Sequence, residues 1–218
     1  MKEIKLVIFD MDGLIFDTEK LSYKSWIEAA KKLKVPFTDN IFYKLLGTNL
    51  ASITKTLKNE FEENISIEEY INEKRSLYRE MIKEGVEKKE GVDDLLEYLK
   101  DNNIKRAVAT SSKREVALQL LSKAEIVDKF DYILCGDEVE KSKPDPEVFL
   151  KVASKIGINS EYCMVLEDSE AGTIAASRAK MTPIIIPDLK EPSKEIENLA
   201  YKKLKNLKEV IDVLESFK

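Results

Sequence analysis

The chain has 218 residues, 43% hydrophobic and 35% charged, with a formal net charge of −5. Length and apolar content suit one large domain, or a core with a smaller insert, around a real hydrophobic core. The acidic balance argues against a nucleic-acid surface, which needs a basic stripe, and mildly against an anionic membrane face.

Lys5 to Phe9 is a short, continuous apolar run and predicts the first strand. It runs straight into Asp10-Met11-Asp12-Gly13, so that two carboxylates stand one residue apart at the end of a buried strand, where like charges repel. From about Asp17 to Gly85 there is no strand candidate. Tyr23, Trp26, Ile27, Ala30 and Leu33 form a helical stripe that stops before Pro36, and Ile53, Leu57 and Phe61 form another. Ser66 and Glu69 have capping-box spacing and lead a third, with Ile67, Tyr70, Ile71, Leu77, Tyr78 and Met81 on one face. Residues 17–85 therefore read as an all-helical domain inserted directly after the first strand. Its ends, near Leu14 to Phe16 and near Gly85 to Gly91, pair as a hinge.

Residues 1–16 and 86–218 then make the core. Further strands are predicted at Arg106 to Ala109, Tyr132 to Cys135, Cys163 to Leu166 and Pro183 to Ile186. Helical stripes separate them. Val92, Leu95, Leu96 and Leu99 make one, and Val116, Leu118, Leu120 and Leu121 a second. Val148, Phe149, Val152, Ala153 and Ile156 make a third, closed by Gly157, and Leu207, Val210, Ile211, Leu214 and Phe217 make the last. The cluster Lys202-Lys203-Leu204-Lys205 reads as a solvated helix face or turn. Continuous strands alternating with helices define an α/β core, a doubly wound, Rossmann-like parallel sheet covered on both faces.

The chain contains no histidine. That removes Ser-His-Asp and Cys-His catalysis, histidine-ligated zinc and phosphohistidine chemistry. Acid–base work must fall to carboxylates, lysine, tyrosine or cysteine. Cys135 and Cys163 lie inside apolar runs without a CxxC pattern and read as buried thiols in a reducing compartment. There is no apolar leader and no run of membrane-spanning length, so a cytoplasmic protein is expected.

Ligands of an open α/β sheet bind beyond the carboxyl ends of its strands. The predicted ends carry Asp10 and Asp12; Thr110, Ser111 and Ser112; Gly136 and Asp137, with Lys143-Pro144-Asp145-Pro146 just beyond; and Glu167, Asp168 and Ser169. Each piece has a plainer use. Asp10 to Gly13 could be a turn, but not an EF-hand loop, which needs glycine at its sixth position and a helix on each side. Ser112 and Glu115 have the spacing of a capping box. Asp145-Pro146 reads as an N-cap with proline at the first helical position. Together the groups suit a divalent cation and a phosphate, the latter at a helix N-terminus.

With these residues in place, the chain resembles the haloacid dehalogenase-like (HAD) superfamily. The match lies in "FDMDGLIFDTE" (Phe9 to Glu19), "VATSSK" (Val108 to Lys113), "KSKPDPEVF" (Lys141 to Phe149) and "LEDSEAG" (Leu166 to Gly172), in the family's order. The helical insert is similar to the cap of the subgroup of beta-phosphoglucomutase and small-metabolite phosphatases. The resemblance implies that Asp10 is the nucleophile, forming an aspartyl-phosphate, and that Asp12 is general acid and then general base. It implies Mg²⁺ on the Asp10 carboxylate, the Asp12 main-chain carbonyl and Asp168, with Glu167 nearby. It implies phosphate held by Thr110, the Ser111 backbone N–H and Lys143, with Gly13 allowing close backbone approach. A hinged lid would admit substrate and control water, with Glu19, Ser22, Thr48 and Asn49 facing that space.

The implied function is a Mg²⁺-dependent phosphatase acting on small phosphate monoesters, sugar phosphates first. A beta-phosphoglucomutase-type sugar phosphomutase is the alternative. Such mutases carry a histidine shortly after the "DT" dipeptide, where this chain has Ser22, and an arginine in the cap loop, where it has Leu50. Both departures favour hydrolysis. A receiver-like signalling domain would combine similar residues, but in a shorter chain without the helical insert, and a non-catalytic, phosphate-binding relative is disfavoured because all four motifs are filled. The expected partner is a small phosphorylated metabolite, with neither nucleic acid nor membrane, and the expected state is a monomer.

Overall fold

A computed structural model describes residues 3–46, 48, 50–62 and 64–218. The chain divides into two compact units, Met1–Asp17 with Glu87–Lys218, and Thr18–Val86. In chain order β1 (Leu6–Phe9) is followed by the four helices of the second unit, α1 (Thr18–Leu33), α2 (Asp39–Leu45), α3 (Leu50–Glu60) and α4 (Ile67–Glu84). The first unit resumes with α5 (Val92–Asp101), β2 (Lys105–Ala109), α6 (Arg114–Lys123), β3 (Tyr132–Leu134), α7 (Glu147–Ile156) and β4 (Cys163–Glu167). It ends with α8 (Glu170–Arg178), β5 (Thr182–Ile185), α9 (Lys194–Leu199), β6 (Lys202–Lys203) and α10 (Val210–Glu215).

The six strands form one sheet in the order β3-β2-β1-β4-β5-β6, every pair parallel. The order reverses direction between β1 and β4, which is where such a sheet opens a crevice at its carboxyl edge. β1 and β4 are buried along their whole length. A cluster containing Leu6, Ile8, Ala107, Val148, Phe149, Cys163, Val165 and Ala175 fills one side of the sheet. Both cysteines are buried and free, and burial pushes the thiols up to about 11 at Cys135 and about 12 at Cys163.

Two local expectations are corrected. Lys202 and Lys203 form a short exposed edge strand, not a helix face or turn: Leu204 is buried beside them, and its N–H donates to Ile185 O (2.9 Å). Lysines on a two-residue edge strand leave little unpaired backbone for another chain to join. The N-cap of α7 is Pro146, not Asp145, although Asp145 Oδ1 does accept from Glu147 N (3.1 Å).

The links between the units pair with each other inside the first unit. Asp17 N donates to Glu87 O (3.0 Å) and Lys89 N to Ile15 O (2.8 Å). The second unit has its own core of Trp26, Phe42, Leu57, Phe61, Tyr70 and Ile71. Tyr70 is fully buried there, its hydroxyl donating to Trp26 O (3.0 Å) and its ring 5.1 Å from the Trp26 ring. Ser66 caps α4 by accepting from Glu69 N (3.3 Å). No helix among the described residues is long and apolar enough to cross a membrane.

Candidate active site

Register builds the site. Phe9 is level with Val108 on β2 and Leu166 on β4, so the next residue of each strand, Asp10, Ala109 and Glu167, stands at the same height. Asp10 N completes the ladder by donating to Leu166 O (2.9 Å). Apolar side chains hold the strands on both faces, so the first polar side chains appear where the ladder ends.

Lys143 reaches this edge from the segment between β3 and α7. Its side chain is only 6% exposed, and its Nζ donates to Asp10 Oδ1 (2.5 Å), Glu167 Oε1 (2.6 Å) and Ala109 O (2.9 Å). An ammonium has three N–H bonds, and all three are used. Burial works against the charge on Lys143, but Asp10 and Glu167 outweigh it and hold its pKa above the ordinary lysine value.

Glu167 is fully buried; its Oε2 accepts from Ser169 Oγ (2.8 Å). Burial, reinforced by the Asp10 charge and opposed by Lys143, raises its pKa to about 7. Asp168 is raised well above the usual carboxylate range, first by burial and then by Asp10 and Glu167. Asp10, Glu167 and Asp168 offer oxygens that all lie within 4.8 Å of one another. Glu167 and Asp168, crowded and raised, are short of positive charge. An all-oxygen donor set of this kind suits a small hard cation such as Mg²⁺.

Asp12 is held from the end of β2. Its Oδ2 accepts from Ser112 Oγ (2.7 Å), with Thr110 Oγ1 at 3.4 Å. Thr110 is buried, its N–H on Leu134 O (3.1 Å) and its Oγ1 accepting from Ser112 N (3.0 Å). Ser112 therefore does not cap α6 as expected. The N-cap position is Lys113, and the Arg114 N–H is taken by Asp137 Oδ1 (3.0 Å) from the end of β3. The serine can serve Asp12 because another strand end caps the helix. Ser111 is exposed, and its carbonyl would lie 2.2 Å from a Cβ at Gly136, so only glycine lets these two loops meet.

Gly13 adopts φ +80°, and a Cβ there would fall 2.2 Å from Asp168 Oδ2. Closeness to Asp168 and the positive φ are thus reasons for glycine in this turn. The same closeness holds at Gly172, where a Cβ would fall 1.9 Å from the Glu167 carboxyl carbon. Ser169 caps α8 by accepting from Gly172 N (3.1 Å), which draws the helix start against Glu167.

The residues expected in the insert are placed less distinctively. Glu19 is half-buried in the first turn of α1, and the Ser22 carbonyl accepts from Ser25 Oγ (2.7 Å). Thr48 is exposed and its hydroxyl donates to Leu45 O (2.7 Å), closing α2. Asn49 lies outside the described residues. Lys74 is a feature that sequence reasoning passed over: its Nζ lies 4.4 Å from the Tyr78 ring centre and 5.3 Å from that of Trp26. Burial lowers its pKa to about 8, opposed by the Glu19 charge. A lysine on an amphipathic helix reads as solvated, so nothing in the pattern marks it.

The haloacid dehalogenase-like hydrolase family matches residues 7–186, and the chain belongs to it. A phosphorylated carbohydrates phosphatase of Thermotoga maritima is 33% identical over 180 residues, covering 81% of this chain and 82% of the relative. A beta-phosphoglucomutase of Bacillus subtilis is 30% identical over 186 residues, covering 82% and 81%. The crystal structure of a beta-phosphoglucomutase from Clostridium difficile superposes with a TM-score of 0.75 at 27% identity, covering 98% of this chain and 96% of that one.

Proposed function

We propose that this haloacid dehalogenase-like phosphatase hydrolyses small phosphate monoesters, sugar phosphates first, through an aspartyl-phosphate on Asp10. The observation that carries the reading is Lys143, whose ammonium binds Asp10 and Glu167 together at the carboxyl edge of the sheet. An ion pair this deeply buried is a costly way to gain stability. It is a good way to aim a carboxylate, with positive charge next to the phosphoryl group it attacks.

In the first step an Asp10 oxygen bonds to phosphorus and the bond from phosphorus to the leaving oxygen breaks. Asp12, oriented by the Ser112 hydroxyl, gives the leaving alkoxide its proton. In the second step Asp12 takes a proton from water as the water oxygen bonds to phosphorus. The phosphorus–Asp10 bond then breaks, restoring the free carboxylate and releasing inorganic phosphate. Two easier displacements replace one difficult one, and positioning with charge stabilisation does most of the catalysis. Asp10, Asp168, the Asp12 main-chain carbonyl and Glu167 would hold Mg²⁺, which when bound screens the negative charge shared by carboxylate and phosphate. Thr110 and the Ser111 N–H would bind phosphoryl oxygens.

Hydrolysis is preferred to mutase chemistry because a mutase must retain a bisphosphate, and the chain puts uncharged Ser22 and Leu50 where the resembling mutases carry histidine and arginine. The sugar-phosphate preference is supported by the likeness to the Thermotoga maritima phosphatase. The test is a panel of phosphate esters assayed with Mg²⁺ and with EDTA, beside Asp10→Asn. Mg²⁺-dependent phosphate release abolished in the variant is expected. Release that survives Asp10→Asn would defeat the mechanism, and efficient interconversion of hexose 1- and 6-phosphates would defeat the preference for hydrolysis.

A further inference from the structure

Asp188 lies beyond the fifth strand, two residues past the end of the Ile184–Ile186 run. Its side chain is only 6% exposed. One oxygen, Oδ1, accepts from Lys89 Nζ (2.5 Å). The other, Oδ2, is buried and has no hydrogen-bond partner. A buried carboxylate oxygen left without a partner costs free energy, so its position needs a reason. Its surroundings supply one. The point where a Gly13 Cβ would sit is 2.2 Å from Asp168 Oδ2 and 3.5 Å from Asp188 Oδ2. The Asp188 charge also helps push the Asp168 pKa up. The free oxygen therefore faces the carboxylate cluster.

Asp188 stands outside the trio whose oxygens all lie within 4.8 Å of one another. A bound Mg²⁺ keeps several of its waters, and an outer carboxylate can accept hydrogen bonds from them. Charge points the same way. Among the described residues, Asp10, Glu167, Asp168 and Asp188 are balanced within the cluster by Lys143 and Lys89. Carboxylates therefore outnumber ammonium groups here, the more so because Lys89 is shared with Asp17, and a divalent cation offsets part of that excess. Lys89 also lies 4.0 Å from Asp17 Oδ1, and its backbone is fixed to Ile15 (2.8 Å), so it is tied to the same turn that carries Gly13.

We propose that Asp188, positioned by Lys89, is an outer carboxylate of the divalent-cation site, its free Oδ2 accepting from the waters of a hydrated Mg²⁺ held by Asp10 and Asp168. The inference rests on the cation site of the proposed function and adds a residue to it. Asp188 is a positioning residue, since it touches neither substrate nor the reacting atoms.

The test is Mg²⁺ affinity, measured by calorimetry on the substrate-free protein for wild type, Asp168→Asn, Asp188→Asn and the double variant Lys89→Met/Asp188→Asn. Outer partners of metal sites typically contribute about 10–100-fold in affinity. About a tenfold weaker Mg²⁺ affinity is expected in both Asp188→Asn proteins, with partial recovery in Asp188→Glu and little change in KM at saturating Mg²⁺. The double variant separates this role from a mere ion pair. If Asp188 serves only Lys89, removing both charges lowers thermal stability but leaves Mg²⁺ affinity at the wild-type value, and the inference falls. Should Asp168→Asn bind Mg²⁺ as wild type does, the cation site itself is wrong and both readings fall. A weakened Asp168→Asn beside unchanged Asp188 variants overturns this inference alone.

Discussion

Without a divalent cation, the protein should lose stability as pH rises from about 5 to about 7.5. The perturbing groups are Glu167 and Asp168. Glu167 has a folded pKa raised from 4.5 to about 7. Its protonated form is thus favoured in the fold, and the stabilisation is fully present below 4.5 and lost as pH climbs through about 7. At 1.36 kcal/mol per pKa unit, Glu167 alone gives a loss of about 2 kcal/mol across that window. Asp168 is shifted in the same direction and adds to it. The window is unusually clean because the chain has no histidine. Asp93, Asp131 and Glu147 are depressed carboxylates, and their contributions disappear only below ordinary carboxylate pKa values. Lys74, lowered to about 8, changes the balance only above the window. The assay is urea unfolding in EDTA at several pH values, repeated at saturating Mg²⁺. Glu167→Gln should remove that residue's share of the slope. Mg²⁺ should stabilise the protein more at pH 7.5 than at pH 5, since ionised carboxylates bind it and protonated ones do not. Stability in EDTA that stays flat or rises from pH 5 to 7.5 would refute the reasoning.

Gly172→Ala should drive a methyl group into the Glu167 carboxyl, 1.9 Å away, lowering unfolding stability by about 1–3 kcal/mol in urea titrations and cutting activity. Ser112→Ala removes the 2.7 Å hydrogen bond to Asp12; kcat should fall about tenfold with KM nearly unchanged in steady-state assays, as one lost hydrogen bond of ordinary strength implies. Tyr70→Phe deletes the hydroxyl on the buried Trp26 carbonyl and should cost about 1 kcal/mol in the urea midpoint without altering Mg²⁺ affinity.

The strands were legible because a parallel strand buried on both faces writes a continuous apolar run. β1 and β4 are of this kind. β6 escaped because two exposed lysines carry no such signal; its place comes from pairing with Ile184 and Ile185. Helices α8 and α9 were equally hard to read. The buried face of α8 is Gly172, Thr173, Ala175 and Ala176, small residues that allow close packing but make a weak stripe. In the site, the polar residues at the carboxyl ends of the predicted strands led to Asp10, Asp12, Thr110, Glu167 and Asp168. Asp188, the residue of the further proposal, stands just beyond the fifth strand in the same way. Partnership was less legible. Whether Ser112 caps a helix or orients Asp12 depends on Asp137, a residue 25 positions away that takes over the cap. The need for glycine at positions 13 and 172 depends on carboxylates brought there by tertiary packing.

The central claim is that the phosphoryl group passes through Asp10. Its most direct test is to mix enzyme with substrate and Mg²⁺, quench in acid within a turnover, and map covalent phosphate on the peptides. The account predicts transient phosphate on Asp10, absent in Asp10→Asn and accumulating when Asp12→Asn slows the attack of water. Steady release of phosphate with none ever bound to the protein, or bound at another residue, would contradict it.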